Sequence, residues 1–393
     1  MHELHDVPSL ERHLATHRSL KDTVVTGLDL RSSVSFAAAD VANAVFLGCQ
    51  LAPDALVDVI SRGALVFPRL NGLPYDPWRT TLYSPDELFR GFDAADPCTY
   101  CETPDARIYR HFKQTGGADE APMLEAFARR LHDHGITEAL EAMLTAHPKV
   151  VAFMGGHAMR RDDPAYLRVA KMAARLSKNG VLVATGGGPG AMEAANLGAR
   201  FGFASEEKLE AAVGSMAGAP LYSHQQWLAA AFRVRAAHAD VFSDARTASL
   251  GVPTFFYGHE PPNVFATHHA KYFANCTREE GLVSLATHGI VFAPGAAGTV
   301  QEIFQDACQN HYGTVRGEVA PMALFGEQFW KQELPVWSVL TALATKGGWS
   351  DRLLLTDDAE QVLSFLERVG PRRLERAAWS FCSAFCGGAS HSK

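Results

Sequence analysis

The sequence predicts an α/β protein: a Rossmann-like parallel sheet with helices on both faces, preceded by a smaller α+β domain. Three observations lead there. From about residue 148 onward, short β-branched runs alternate with segments of helical spacing, the pattern of repeated βαβ units. Two of those runs end in glycine-rich turns that open helices, TGGGPGAMEAANLGA from residue 185 and PGAAGTVQE from residue 294. The chain has 393 residues, 47% hydrophobic and 20% charged, enough for two domains that each bury a core.

Residues 1–147 form the first expected domain. It holds strand candidates at 44–47 and 64–67, then the turn-rich stretch PRLNGLPYDPWRTTLYSPDEL, then helix candidates at 123–132 and 136–144. No internal repeat is found in it, and it carries no recognisable chemistry. Residues 148–370 form the second domain, with strands expected at 150–154, 181–184, 252–257, 290–293, 322–325 and 353–355. Helices are expected between them at 165–176, 192–198 and 300–311. Residues 371–393, ending in GGASHSK, read as a tail.

Composition narrows the function. The net charge is -7, and no Arg/Lys stripe gathers the basic residues, so nucleic acid is not an expected partner. No apolar run reaches the length of a membrane span, and MHELHDVPSLERHLATHRSL lacks the apolar centre of a secretory signal; a cytoplasmic protein with no membrane partner is expected. Seven cysteines make no disulfide framework. Cys98 and Cys101 form a C-x-x-C, and Cys382 and Cys386 a looser pair. The gap between the pairs is far outside the spacing of zinc modules, so they read as reduced cysteines and no metal is expected.

In a parallel sheet, ligands bind beyond the carboxyl ends of the strands. There, Gly186, Gly187, Gly188 and Gly190 let the backbone approach a ligand closely, just before a helix N-terminus that favours anions. A tight turn with no ligand explains the same residues equally well. Gly186, Gly188 and Ala191 satisfy G-x-G-x-x-G/A, but this turn follows the second strand of the domain, and Glu206 and Glu207 fall in a helical stretch. A dinucleotide oxidoreductase is therefore disfavoured. No P-loop is present.

PGAAGTVQE supports two readings. Val300, Ile303, Phe304, Ala307 and Cys308 make a helical stripe, which puts Thr299 near a helix start and Glu302 in its first turn. Thr299 to Glu302 matches the T-x-x-E capping box, in which Glu302 would only reach back to a backbone N–H. Alternatively Glu302 faces a ligand clamped between the two glycine turns, beside Arg278, where a carboxylate suits glycosidic-bond chemistry. Arg278 also fits a solvent-facing charge paired with Glu279 or Glu280.

Together, MGGHAMRR at 154–161, GPGAMEA at 188–194 and HGIVFAPGAAGT at 288–299 resemble the LOG (Lonely Guy) family, and within it the bacterial pyrimidine/purine nucleotide 5'-monophosphate nucleosidases. The resemblance covers about residues 148–365. It implies a hydrolase that needs no cofactor and releases free base and ribose 5-phosphate from a nucleoside 5'-monophosphate. It implies a homo-oligomer, a dimer or tetramer. The family's catalytic glutamate and arginine fall on Glu302 and Arg278. Its phosphate and ribose turns fall on Gly295, Ala296, Gly298 and Thr299 and on Gly186, Gly187, Gly188 and Gly190. Gly155, Gly156, His157 and Asn263 match residues on the base side. Ala296 and Ala297 stand where the family has at least one further glycine, and Gln301 where a second glutamate is common. A catalytically weak nucleotide-binding sensor or regulatory protein is the alternative expectation.

Overall fold

The computed structural model describes residues 2–373, apart from Ser33 and His259. The Cys382/Cys386 pair and the tail beyond residue 373 lie outside the described residues.

Seven strands form the large sheet: β1 (Val150–Met154), β2 (Leu182–Thr185), β3 (Ser249–Gly251), β4 (His268–His269), β5 (Ile290–Phe292), β6 (Met322–Phe325) and β7 (Leu353–Thr356). Their order is β4, β3, β2, β1, β5, β6, β7, and every neighbouring pair is parallel. The α/β fold expected from the sequence is observed. β1, β2, β5 and β6 are buried along their whole length, as parallel strands covered on both faces must be. Because strand order reverses between β1 and β5, the connections leaving their carboxyl ends run to opposite sides and open a crevice there.

Four helices position what lines that crevice: α1 (Pro164–Lys178), α2 (Ala191–Arg200), α3 (Asn275–Leu285) and α4 (Ala297–Tyr312). α1 begins at Pro164, where a missing N–H costs nothing, and Asp163 caps it by accepting from the Ala165 N–H. It packs closely on α2, all but one of whose residues are buried.

The strand expected over 252–257 is displaced. β3 ends at Gly251, because Pro253 has no N–H to give a ladder; beyond it Thr254 makes only an isolated bridge to Tyr272. The edge strand β4 and the helix Trp227–Ala237 have no counterpart among the expected elements.

In the first part of the chain the strands expected at 44–47 and 64–67 are observed, at Val45–Leu47 and Leu65–Phe67, but in an unexpected arrangement. Thr23–Thr26, Val45–Leu47 and Leu65–Phe67 pair in parallel, with His2–Leu4 on the outer side. Val24 lies beside Val45 and Val45 beside Leu65, and Asp29 pairs with Gln50 in the same sense. This is a structural repeat with a step of about twenty residues, the stacked arrangement of solenoids. VVTGLDL and VFLGCQL are its first two rungs; the third, LVFPRL, has Pro68 in place of the glycine, which hides the period. Its core, from Leu4 to Ala64, is separate from the main core, which runs from Tyr75 to Leu366.

Residues 123–146 form one helix, not two. Gly135 does not break it, and the position calls for glycine because the helix there passes so near Arg79 that a Cβ would lie 2.0 Å from the Arg79 carbonyl oxygen. Unusually, this helix buries charge: Glu125, Arg129, His132 and Asp133 all face inward. The Asp133 carboxylate accepts from the backbone N–H groups of Phe273 and Ala274, at 2.9 and 2.8 Å, immediately before α3. Nearby, Lys271 and Asp105 form a fully buried ion pair, and the Tyr100 hydroxyl donates to Asp105 at 3.1 Å.

Candidate functional site

The crevice brings three turns together. The Gly156 N–H donates to the Pro294 carbonyl at 2.9 Å, and the Ala293 N–H to the Met154 carbonyl at 2.8 Å, which joins the ends of β1 and β5. The Gly186–Gly190 turn packs onto the same place. Gly190 has φ +69°, and a Cβ on it would lie 2.3 Å from the Gly156 carbonyl oxygen. Gly190→Ala is therefore expected to cost at least about 1–3 kcal/mol, through backbone strain and the clash together. Urea unfolding compared with wild type measures this. An unchanged midpoint would mean that the two turns are not in contact.

Gly295 is constrained from the other side. A Cβ there would meet the Thr299 hydroxyl at 2.1 Å and the Gly156 N at 3.0 Å. Much of the glycine content thus serves contact between the turns, and the ligand-facing part is smaller than expected. Ala296, Ala297 and Gly298 are exposed, and Gly298 has open space where a side chain would stand.

α4 starts at Ala297, so Thr299 is the third residue of the helix and Glu302 lies in its second turn. No side chain caps this helix, and Thr299 is buried. The capping-box reading is thereby corrected: with Ala296 in the cap position, no side chain among the described residues caps the first N–H groups of α4, and Glu302 is not used to cap them.

α3 supplies the charge. Arg278 donates through Nε to the Val252 carbonyl at 3.0 Å, and its Nη2 passes Gly186 so closely that a Cβ there would lie 2.6 Å away. Its Nη1 is 3.9 Å from Glu279 Oε1, so the expected pairing with Glu279 is present only as a loose contact. Glu279 is held instead by Asn275 at 2.7 Å and Gln301 at 2.8 Å.

Glu302 sits among these groups, partly buried. Burial pushes its carboxyl up to about 7; the Arg278 guanidinium pulls it down and the Glu279 carboxylate pushes it up. The desolvation effect wins, leaving a carboxyl that changes charge near neutrality. One turn further along α4, Asp306 is buried and its Oδ2 has no partner among the described residues. Burial raises its carboxyl well above the usual range. It borders a cavity of about 20 Å³, with Thr287 and Asn310 in the wall, room for one water. Sequence reasoning missed Asp306, although its spacing from Glu302 puts both on one helix face.

The other expected residues divide. His157 stands exposed at the rim, its Nδ1 3.5 Å from Glu260 and its ring edge-on to Tyr222 at 5.7 Å. Gly155 and Gly156 form the floor beside Pro294. Asn263 is fully buried and has no capacity left for a ligand: its Nδ2 donates to the Gly188 carbonyl at 3.2 Å and to Asn196 at 2.9 Å, while its Oδ1 accepts from the N–H groups of Phe265 and Ala266. Thr185 and Asn196 complete that network beneath the turn. Among the described residues, no group of three or more His, Cys, Asp or Glu is placed to hold a metal ion, and no helix is long and apolar enough to cross a membrane.

No family model matches the chain, and no curated protein does. Solved structures similar to it include the molybdenum cofactor binding protein from the phototrophic bacterium Rippkaea orientalis, at 15% identity, covering 56% of this chain and 96% of that one with a TM-score of 0.34. Two structures of the molybdenum cofactor carrier protein from Chlamydomonas reinhardtii match at 14% identity, the same coverage and the same TM-score. These neighbours are named as molybdenum cofactor binding or carrier proteins and not as nucleosidases, and the LOG resemblance has no support from any family or curated match. The expectations of LOG membership, of hydrolysis of a nucleoside 5'-monophosphate and of a nucleotide sensor are corrected accordingly. The three short motifs fit because strand-to-helix turns of this fold demand small residues whatever they bind. At this identity and TM-score, the likeness transfers no ligand to the chain either.

Proposed function

We propose that the chain binds a phosphate-bearing small molecule in the crevice between the ends of β1 and β5. The observation that carries this reading is the electrostatic coupling of Arg278 to Glu302 on α4, a helix whose exposed start has no side-chain cap. Backbone N–H groups and a helix dipole favour an anion at Ala297 and Gly298, and a guanidinium adds charge-assisted hydrogen bonds. Glu302, neutral over much of the range below pH 7, meets such an anion as a hydrogen-bond donor without repelling it. The same carboxyl is placed to exchange a proton with the ligand, so acid–base chemistry belongs to the proposal.

Calorimetric titration with phosphate esters, each paired with its dephosphorylated counterpart, tests the reading. The panel includes sugar phosphates, nucleoside monophosphates and the molybdenum cofactor named for the neighbours above. Binding is expected for at least one ester and not for its counterpart, and Arg278→Ala is expected to weaken it about 10- to 100-fold, the worth of a charge-assisted hydrogen bond. Equal binding of the two partners of every pair, or an Arg278→Ala protein with wild-type affinity, would overturn it.

A further inference from the structure

Away from the crevice, the C-x-x-C of the sequence falls on the 3₁₀ helix Pro97–Glu102. Cys98 and Cys101 are both exposed and both carry free thiols. In a 3₁₀ helix residues three apart stand one above the other, and a turn rises about 6 Å. That rise lies within the Cα separation that a disulfide spans. The turn is held by bonds in which neither thiol takes part. Asp96 accepts from the Cys98 N–H at 3.1 Å. The Thr99 hydroxyl accepts from the Asp93 N–H at 2.8 Å and donates to the Asp96 carbonyl at 2.7 Å. Arg110 donates to the Cys101 carbonyl at 2.6 Å, and Tyr100 is pinned to Asp105. Closing a bond between the sulfurs asks for side-chain rotation on a turn that is already built.

We infer that Cys98 and Cys101 are a redox-active dithiol whose oxidant is a low-molecular-weight disulfide of the glutathione class. The thiolate of one cysteine attacks a sulfur of glutathione disulfide; an S–S bond forms to glutathione and one glutathione thiolate leaves. The thiolate of the second cysteine then attacks the protein sulfur of that mixed disulfide and expels the second glutathione. The dithiol is oxidised by two electrons, glutathione disulfide is reduced to two glutathiones, and the two thiol protons pass to the departing thiolates. This chemistry is independent of what the crevice binds.

The experiment uses the full chain in glutathione buffers running from reduced to oxidised, quenched with acid, alkylated and digested with trypsin. Both cysteines lie on the one peptide between Arg90 and Arg107. In oxidised buffer that peptide is expected to lose both alkylatable thiols, two of the seven in the chain, and to be two hydrogens lighter with no glutathione attached. Cys98→Ser and Cys101→Ser are each expected to trap glutathione on the remaining cysteine, since the second displacement has lost its nucleophile. Both cysteines still alkylated in oxidised buffer, glutathione retained on the wild-type peptide, or a bond from it to another cysteine of the chain would overturn the inference.

Discussion

Glu193→Ala is expected to lower the unfolding free energy by about 3–5 kcal/mol, the usual cost of stranding one partner of a buried ion pair. Arg161 and Glu193 are 1% and 0% exposed and pair through both oxygens of the carboxylate. Tyr166 donates to the same carboxylate at 3.0 Å, and Arg161 also reaches the Ala219 and Trp227 carbonyls. Without Glu193, the guanidinium would keep its two carbonyl partners and its place over the Trp227 ring, but its charge would have no counter-ion. Urea unfolding measures the loss. Glu193→Gln, which keeps an acceptor of the same shape, should recover part of it. A loss under about 1 kcal/mol would show that water or a rearranged side chain reaches Arg161.

Glu302→Gln is expected to stabilise the protein at pH 8 and to leave it unchanged at pH 4. The carboxyl has an ordinary value of 4.5, the value taken for the unfolded chain, and is pushed up to about 7 in the folded protein. Below pH 4.5 both states hold the proton and the group contributes nothing. Between 4.5 and about 7 the folded protein binds more protons than the unfolded chain, so stability falls as the pH rises. Above 7 the difference is constant at about 3 kcal/mol, from the size of the shift. Glutamine does not titrate and escapes this loss; Asp306 is common to both proteins and cancels in the comparison. Urea unfolding at the two pH values decides it, and a variant effect of the same size at both would mean that Glu302 keeps an ordinary carboxyl in the folded state.

The strands of the large sheet were legible in the sequence because a strand buried on both faces must be nearly continuous in apolar residues; β1 and β6 fall where the runs Val150 to Met154 and Met322 to Phe325 place them. β3 was misplaced because Val252 to Tyr257 is equally apolar, and only Pro253 marks it as a loop. Two of the solenoid rungs coincide with the strand candidates at 44–47 and 64–67, but the repeat escaped notice because each rung is only two to four residues long and its period spans irregular connections. The positions of Arg278, Glu302 and the two turns could be named from spacing, since glycines and isolated charges stand out after apolar runs. What Asn263 does could not, because its partners Asn196 and Gly188 are distant in sequence and ordinary in type. The reading of the motifs as a nucleosidase failed for a related reason: small residues are required wherever these backbones touch, and the requirement says nothing about the ligand.

Asp133 and Asp105 have a consequence for how this architecture can be taken apart. Asp133 fixes the backbone where α3 begins, and Asp105 neutralises Lys271 two residues earlier. The backbone leading into α3, the helix that carries Arg278, is thus fixed in part by side chains that precede the sheet in the sequence. A fragment cut at residue 148 would carry every glycine turn, every strand of the crevice and the Val252 carbonyl that Arg278 binds, yet it would leave the N–H groups of Phe273 and Ala274 without their acceptor and Lys271 without its counter-ion. The part that looks like a self-sufficient α/β fold depends, in this chain, on the segment before it.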